Sequence, residues 1–295
     1  MAVVVALGMV LASTCGFAPA SAGDRGADSD AVVFDLGNGV AAHIQPVTSE
    51  VRFTTPTPLV WDPRLLDLNN YDFGAGWTFD QIFVRGLDFY IPALGRFFEW
   101  DGSSPSGLIG YPWDDLRVDV AIGGEVPARG DIPARSYDWT IRYLETNVTE
   151  YFNRDGDLIA SINSSTGARD DWVWNLNRTL NRVVDDSGGV IRSERVDPAE
   201  HHFTMPDGRL ISTQLDGGRV FRILTPSQST TFVMTTPRWL TRTEDAAGAT
   251  NPREYQFVWE AGRTGTAQDV WYRDPVLDWR IVWRGGELEE EDVSG

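Results

Sequence analysis

The chain has 295 residues, enough for one large domain or two ordinary ones, and 42% are hydrophobic, so a substantial core is expected rather than wholesale disorder. Its 43 acidic residues outnumber 25 basic ones, every one of them Arg, for a net charge of −18. That field repels nucleic-acid phosphates and anionic lipid headgroups, which excludes nucleic acid and anionic membrane surfaces as expected partners.

In chain order, residues 1–22 read as a secretory signal peptide. The apolar run Ala2–Ala12 is too short to span a bilayer, and Ala18-Pro19-Ala20 and Ala20-Ser21-Ala22 fit small-x-small cleavage, near Ala20 or Ala22. No later segment is apolar enough to cross a membrane, so the mature chain is expected to be secreted or held at the cell surface. Cys15 leaves with the leader, and the mature protein then has neither thiol nor disulfide. Residues 23–30 are polar and read as a disordered linker.

Short strand-like segments follow at Ala31–Phe34, Val40–Ile44, Val51–Thr54 and Leu59–Trp61, broken by Pro56, Pro58 and Pro63. Tyr71–Phe79 joins a Gly-rich turn to an aromatic strand. Ile82–Val84, Phe97–Trp100, Leu116–Ile122, Trp139–Leu144, Val148–Phe152 and Leu158–Ile162 continue the pattern. Asn38-Gly39, Asp101-Gly102, Asp155-Gly156 and Asp207-Gly208 mark hairpin turns. Ser103–Gly107 and Glu125–Pro133 read as loops, the second as a seam. No apolar face of period 3.6 and a dozen residues occurs after the leader, so the predicted fold is all-β, a curved antiparallel sheet built from hairpin repeats.

The repeats carry a cadence of Leu, then Asp or Asn, then Gly, then a second strand. Leu158 leads to Asn163, Gly167, Trp172 and Trp174; Leu180 to Asp185, Gly188 and Val190. Leu210 leads to Asp216, Gly217 and Val220; Leu240 to Asp245, Gly248, Tyr255, Phe257 and Trp259. The steps between the leucines are 22, 30 and 30 residues, a spacing that points to a repeat architecture. The expected organisation is a β-rich N-terminal cap over 31–125, a repeat sheet over 126–284 and an acidic disordered tail over 285–295.

These units resemble the YD repeats of RHS-repeat proteins, over roughly residues 50–285. Trp239–Gly248 followed by Arg253–Glu260 is similar to that family's G-R-L-x-x-V-x-D-x-x-G…Y-x-Y-D unit, Leu158–Gly167 with Trp172–Asn175 is a second match, and Phe73–Phe79 resembles its F-G-x-G-W-S element. The resemblance implies a scaffold related to toxin-enclosing shells, with a structural or encapsulating role. The chain departs from the pattern at Trp174-Asn175 and Trp259-Glu260, which stand where the Tyr-Asp dyad belongs. Asp274-Pro275-Val276-Leu277 lacks the Gly of the self-cleavage element, so autoproteolysis is not carried over. A chain this short is expected to need a protein partner to complete a shell, or to self-associate.

Side-chain chemistry gives few other leads. The 12 Trp either fill the core or, as Trp77, Trp172, Trp174 and Trp259, form a stacking platform for a polysaccharide. His201 and His202 are adjacent on a strand and point to opposite faces, which argues against a shared metal. Asn153–Asp157 lacks the ligand set of a calcium loop and reads as a hairpin turn. Asp114-Asp115, Asp170-Asp171 and Asp185-Asp186 read as solvated turn residues, although a carboxylate pair for glycan hydrolysis is invisible in sequence. With no nucleophile motif, the chain is expected to have no cofactor and no enzymatic activity, with a carbohydrate-binding module or a secreted glycan-active enzyme as the alternatives.

Overall fold

The computed structural model describes residues 32–44, 51–62, 65, 73–79, 81–91, 96–235, 238–245, 253–259, 267–274, 279–284 and 287–292. The leader, the linker and Gly248 lie outside them, as do the side chains of Trp239, Trp259, Trp271, Trp279 and Trp283. Every element named among the described residues is a strand.

An N-terminal layer holds two small antiparallel sheets. The first comprises β1 (Val32–Gly37), β2 (Val40–Ile44), β3 (Val51–Thr54), β4 (Leu59–Trp61) and β5 (Trp77–Phe79). The second comprises β6 (Phe83–Arg85), β7 (Asp88–Ile91) and β8 (Arg96–Glu99).

The rest is one 16-stranded antiparallel sheet in which every strand pairs with its neighbours in sequence. It opens with β9 (Leu116–Val126), β10 (Arg135–Tyr143), β11 (Val148–Phe152), β12 (Leu158–Asn163) and β13 (Arg169–Trp174). It continues through β14 (Leu180–Val184), β15 (Val190–Asp197), β16 (Glu200–Thr204), β17 (Leu210–Asp216), β18 (Arg219–Leu224) and β19 (Gln228–Thr235). It ends with β20 (Arg238–Asp245), β21 (Arg253–Trp259), β22 (Ala267–Asp274), β23 (Trp279–Arg284) and β24 (Glu287–Asp292).

Three boundaries differ from the sequence reading. The sheet starts at β9, not at residue 126, because Leu116 pairs with Tyr143 and Val126 with Arg135 across β10. The Glu125–Pro133 stretch is therefore a connection within the sheet, closed by an Arg129–Ile132 bridge, and not a seam. The acidic tail holds a strand: β24 pairs with β23, and the register sets Glu291 opposite Arg280 and Glu287 opposite Arg284. Opposite charges at facing positions compensate the carboxylates that suggested disorder. A last strand this acidic also discourages further edge pairing.

The repeat is shorter than the leucine spacing implied. Leu158, Leu180 and Leu210 open β12, β14 and β17, so one step covers two strands and the next covers three. Three strands on, the chain runs in the opposite direction. The true unit is one strand and its turn.

Turn chemistry sets this meander. At 153–157, 175–179, 185–189 and 205–209 the first residue's N–H donates to the fifth residue's carbonyl, and the fourth residue's N–H donates to the first residue's carbonyl. The fourth residue is left-handed in each: Gly156, Arg178, Gly188 and Gly208, with φ of 85°, 62°, 86° and 83°. Three are glycine, as that conformation favours. Gly156 has a second reason, since a Cβ there would lie 1.9 Å from the Val84 carbonyl oxygen of β6. The expected turn residues all hold turns where they are described. Asn163 Oδ1 accepts from the N–H groups of Ser165 and Thr166, with Gly167 at φ 78°. Asp185 Oδ1 accepts from Gly189 N–H at 2.7 Å. Asp216 pairs with Arg219 across Gly217-Gly218, and Asp245 ends β20.

The N-terminal layer lies against one face of the sheet instead of capping its end. Phe53 meets Phe257 at 5.0 Å, Trp77 meets Phe232 at 5.4 Å, Phe79 meets Trp174 at 5.6 Å and Phe89 meets Trp139 at 5.3 Å, all edge-on. Polar pins join the same surfaces. Tyr255 donates to the Asp35 carbonyl at 2.7 Å, Val220 N–H to the Phe73 carbonyl at 3.1 Å, and Asn38 Nδ2 to the Ile223 carbonyl at 3.2 Å. Burying each such ring contributes about 1.5–3 kcal/mol, with about 0.5–1.5 kcal/mol more for edge-on geometry. One continuous core results, running from Phe34 to Val270.

Candidate functional site: the seam between the N-terminal layer and the sheet

Strand alternation decides which polar residues enter this seam. In β16, His201 and Phe203 are buried while Glu200, His202 and Thr204 are not, so the adjacent histidines do take opposite faces. Outside, His202 Nε2 lies 2.8 Å from Glu200 Oε1, which also accepts from Ser212 Oγ. Inside, His201 is 5% exposed and its Nε2 lies 2.7 Å from Ser193 Oγ of β15. Phe73 stacks edge-on against the imidazole at 5.1 Å. The adjoining cavity is lined by Phe73 and Phe79 from the N-terminal layer and by Thr179, Leu180, Arg195 and Leu215 from the sheet. Burial, with the charges of Arg195 and His202 adding to it, pushes the His201 pKa down to about 4. The imidazole is neutral at physiological pH.

A serine beside a neutral imidazole has the first two members of a nucleophilic triad. Here both are closed in, Ser193 at 7% exposure, and no described carboxylate hydrogen-bonds His201. The pair works as a satisfied polar contact inside an aromatic seam.

Several strands away, the same face buries an acid. β11 alternates Val148, Glu150 and Phe152 inward, and Glu150 is only 3% exposed. Tyr143 Oη donates to its Oε2 at 2.9 Å. Burial drives the Glu150 pKa up to about 7, and the tyrosine hydrogen bond offsets only part of that. Beside them Tyr111 Oη donates to Asp115 Oδ1 at 2.7 Å.

A third buried charge sits on the opposite face. Asp171 of β13 is fully buried and receives Arg135, Arg169 at 2.7 Å and Arg129 at 3.2 Å. Arg129 also donates to the Arg169, Asp185 and Asp186 carbonyls, and Arg135 to the Trp172 carbonyl. This overturns the solvated-turn reading of Asp170-Asp171. Asp171 lies mid-strand, and the arginines that hold it come from as far as 42 residues away. Asp185 is the turn residue expected, and Asp115 is a tyrosine acceptor. Asn153–Asp157 is a turn, with Asp157 buried and clamped by Arg178.

The stacking platform meets the same difficulty. Trp77 and Trp172 are 1% and 2% exposed, so neither ring has a face open to a sugar. Trp172 and Trp174 do share one side of β13, with ring centroids 6.3 Å apart and planes 17° from parallel. Trp174 Nε1 is committed to the Leu158 carbonyl at 2.7 Å, and the Trp259 side chain lies outside the described ones. Among the described residues no group of three or more His, Cys, Asp or Glu could hold a metal, and no helix is long and apolar enough to cross a membrane.

Glu150 is the residue that sequence reasoning missed although a signal existed. An acid at the inward position of an alternating strand, between Val148 and Phe152, breaks the binary pattern. Ser193 and His201 carry the same signal between Ile191 and Phe203. No protein-family model matches the chain, and no curated protein matches its sequence.

Proposed function

We propose that this protein is a non-catalytic β-scaffold, a short relative of the YD-repeat ribbon that its repeats resemble, exported to act in encapsulation or in cell-surface interaction. The observation that carries the reading is the occupied inner face: the chain's own N-terminal layer fills the surface on which a curved sheet of this kind would hold a ligand. Sixteen strands in chain order, each advancing about 4.8 Å, give a ribbon roughly 70 Å long along its hydrogen-bonding direction. Its outer face and edges remain for a protein partner or a second copy. The buried tryptophans weigh against a polysaccharide platform, and the closed Ser193–His201 pair weighs against hydrolysis.

Light-scattering mass on a size-exclusion column, applied to the recombinant chain and to the native culture supernatant, tests this. A defined species larger than one chain, with a second polypeptide or a second copy in it, is the expected result. A monomer that cleaves a glycan from a broad panel overturns the proposal. Sequencing the N-terminus of the supernatant protein tests export, and an intact Met1 in a cytoplasmic fraction refutes it.

A further inference from the structure

The seam buries two ionisable groups of opposite type, Glu150 and His201. Each has a single neutral hydroxyl as its hydrogen-bond partner and no counter-ion in hydrogen-bond reach among the described residues: Tyr143 for Glu150, Ser193 for His201. They lie five strands apart, on β11 and β16, which is roughly 24 Å. We propose that these residues form a two-sided proton gate on the N-terminal layer, which stays docked only while Glu150 is protonated and His201 is not.

The surroundings of each group fix what ionisation does. Around Glu150, β10 contributes Tyr143 and the 111–115 segment contributes Tyr111 and Asp115, with Phe98 of β8 edge-on to Tyr111 at 5.3 Å. An ionised Glu150 therefore meets another carboxylate and phenols, and no cation. Around His201, Arg195 is its cross-strand neighbour on β15, and His202 and Glu200 flank it on the outer face of β16. On β17 its cross-strand partner is Thr213, whose buried Oγ1 has no hydrogen-bond partner. The N-terminal layer offers only Phe73 and Phe79. A cationic His201 faces Arg195 with nothing to neutralise it, at the place where Val220 N–H pins the Phe73 carbonyl.

The two signs are opposite. Glu150 titrates near 7, above its ordinary 4.5, so its contribution is complete below that ordinary value and is lost as pH rises through 7. His201 titrates near 4, below its ordinary 6.5, so its contribution is complete above 6.5 and is lost as pH falls through 4. Both groups hold their docked protonation states between those limits. Outside them, each pH unit weakens the affected end by about tenfold. The two ends open different segments: residues 97–115 on the alkaline side, residues 73–79 on the acid side. This holds whether or not the ribbon serves as a scaffold.

Hydrogen exchange read by mass spectrometry on the full chain, corrected for intrinsic rates, tests the gate at about pH 3.5, 5.5 and 8.5. From 5.5 to 8.5 protection over 97–115 should fall by about tenfold or more while 73–79 holds. From 5.5 to 3.5 the pattern should reverse. Glu150→Gln should abolish the alkaline arm alone, and His201→Gln the acid arm alone. Protection lost evenly along the chain, or arms that persist in the variants, would overturn the proposal. Should a variant not fold, the wild-type exchange map still decides, because the position of each arm is read without it.

Discussion

Asp171 and Glu150 are both buried carboxylic acids on strands two apart in one sheet, and the protein treats them in opposite ways. Asp171, on the outer face, receives three guanidiniums and remains an anion at the centre of a salt-bridge cluster. Glu150, on the inner face, receives one phenol and is held largely neutral. Burial is common to both, so burial does not decide the charge state. The partners decide it, because several ionic hydrogen bonds offset desolvation where a single neutral one does not. The outer cluster locks the β9–β10 connection onto β13 and β14 at any moderate pH. The inner pair makes the N-terminal layer sensitive to pH.

The largest expected effect comes from breaking the outer cluster. Asp171→Ala leaves Arg129, Arg135 and Arg169 converging on nothing, and removing one partner of a buried ionic cluster costs about 3–5 kcal/mol. Urea denaturation at neutral pH measures it, and a loss under about 1 kcal/mol would show that Arg–carbonyl bonds carry the clamp without the acid. Gly156→Ala comes next. It forces a Cβ into the Val84 carbonyl and a left-handed φ onto alanine, for about 1–3 kcal/mol, read by the same denaturation. Glu150→Gln changes sign with pH: at pH 8.5 the variant should be more stable than the parent by about 2 kcal/mol, and at pH 5 near parity. A melting series across that range should be flatter for the variant, and parallel curves would place the titration elsewhere.

How much of this could be read from the sequence depends on the range over which each feature is encoded. Period-two alternation and Asn-Gly or Asp-Gly turns are local, and they placed β2, β3, β4, β11 and β12 almost residue for residue. The hairpins at Asn163, Asp185 and Asp216 were legible for the same reason. The repeat period was misjudged because Leu180 and Leu210 look alike in sequence yet open strands that run in opposite directions. Asp171 was misread because its arginines come from the far side of β10 to β12, and only pairing register brings them together. The fate of the tryptophans was equally hidden, since the layer that covers Trp172 is contributed by Phe79, nearly a hundred residues earlier.

Arg178 gives the smallest and sharpest test, because it sets a local rule against a distant contact. It occupies the turn position that Gly156, Gly188 and Gly208 fill in the sister turns, at φ 62°. Its guanidinium reaches the buried Asp157 at 2.6 Å and the Asp155 carbonyl at 3.1 Å, linking two successive turns at one end of the ribbon. The ion pair holds a side chain where the backbone favours none. Arg178→Ala loses the pair and keeps the strain; Arg178→Gly loses the pair and relieves it. The glycine variant should therefore be the more stable of the two, by about 0.5–1 kcal/mol, when both are measured by denaturation at one pH. Equal stabilities would mean that the turn relaxes once Asp157 lets go, and that the left-handed conformation is imposed by the pair instead of by the hairpin.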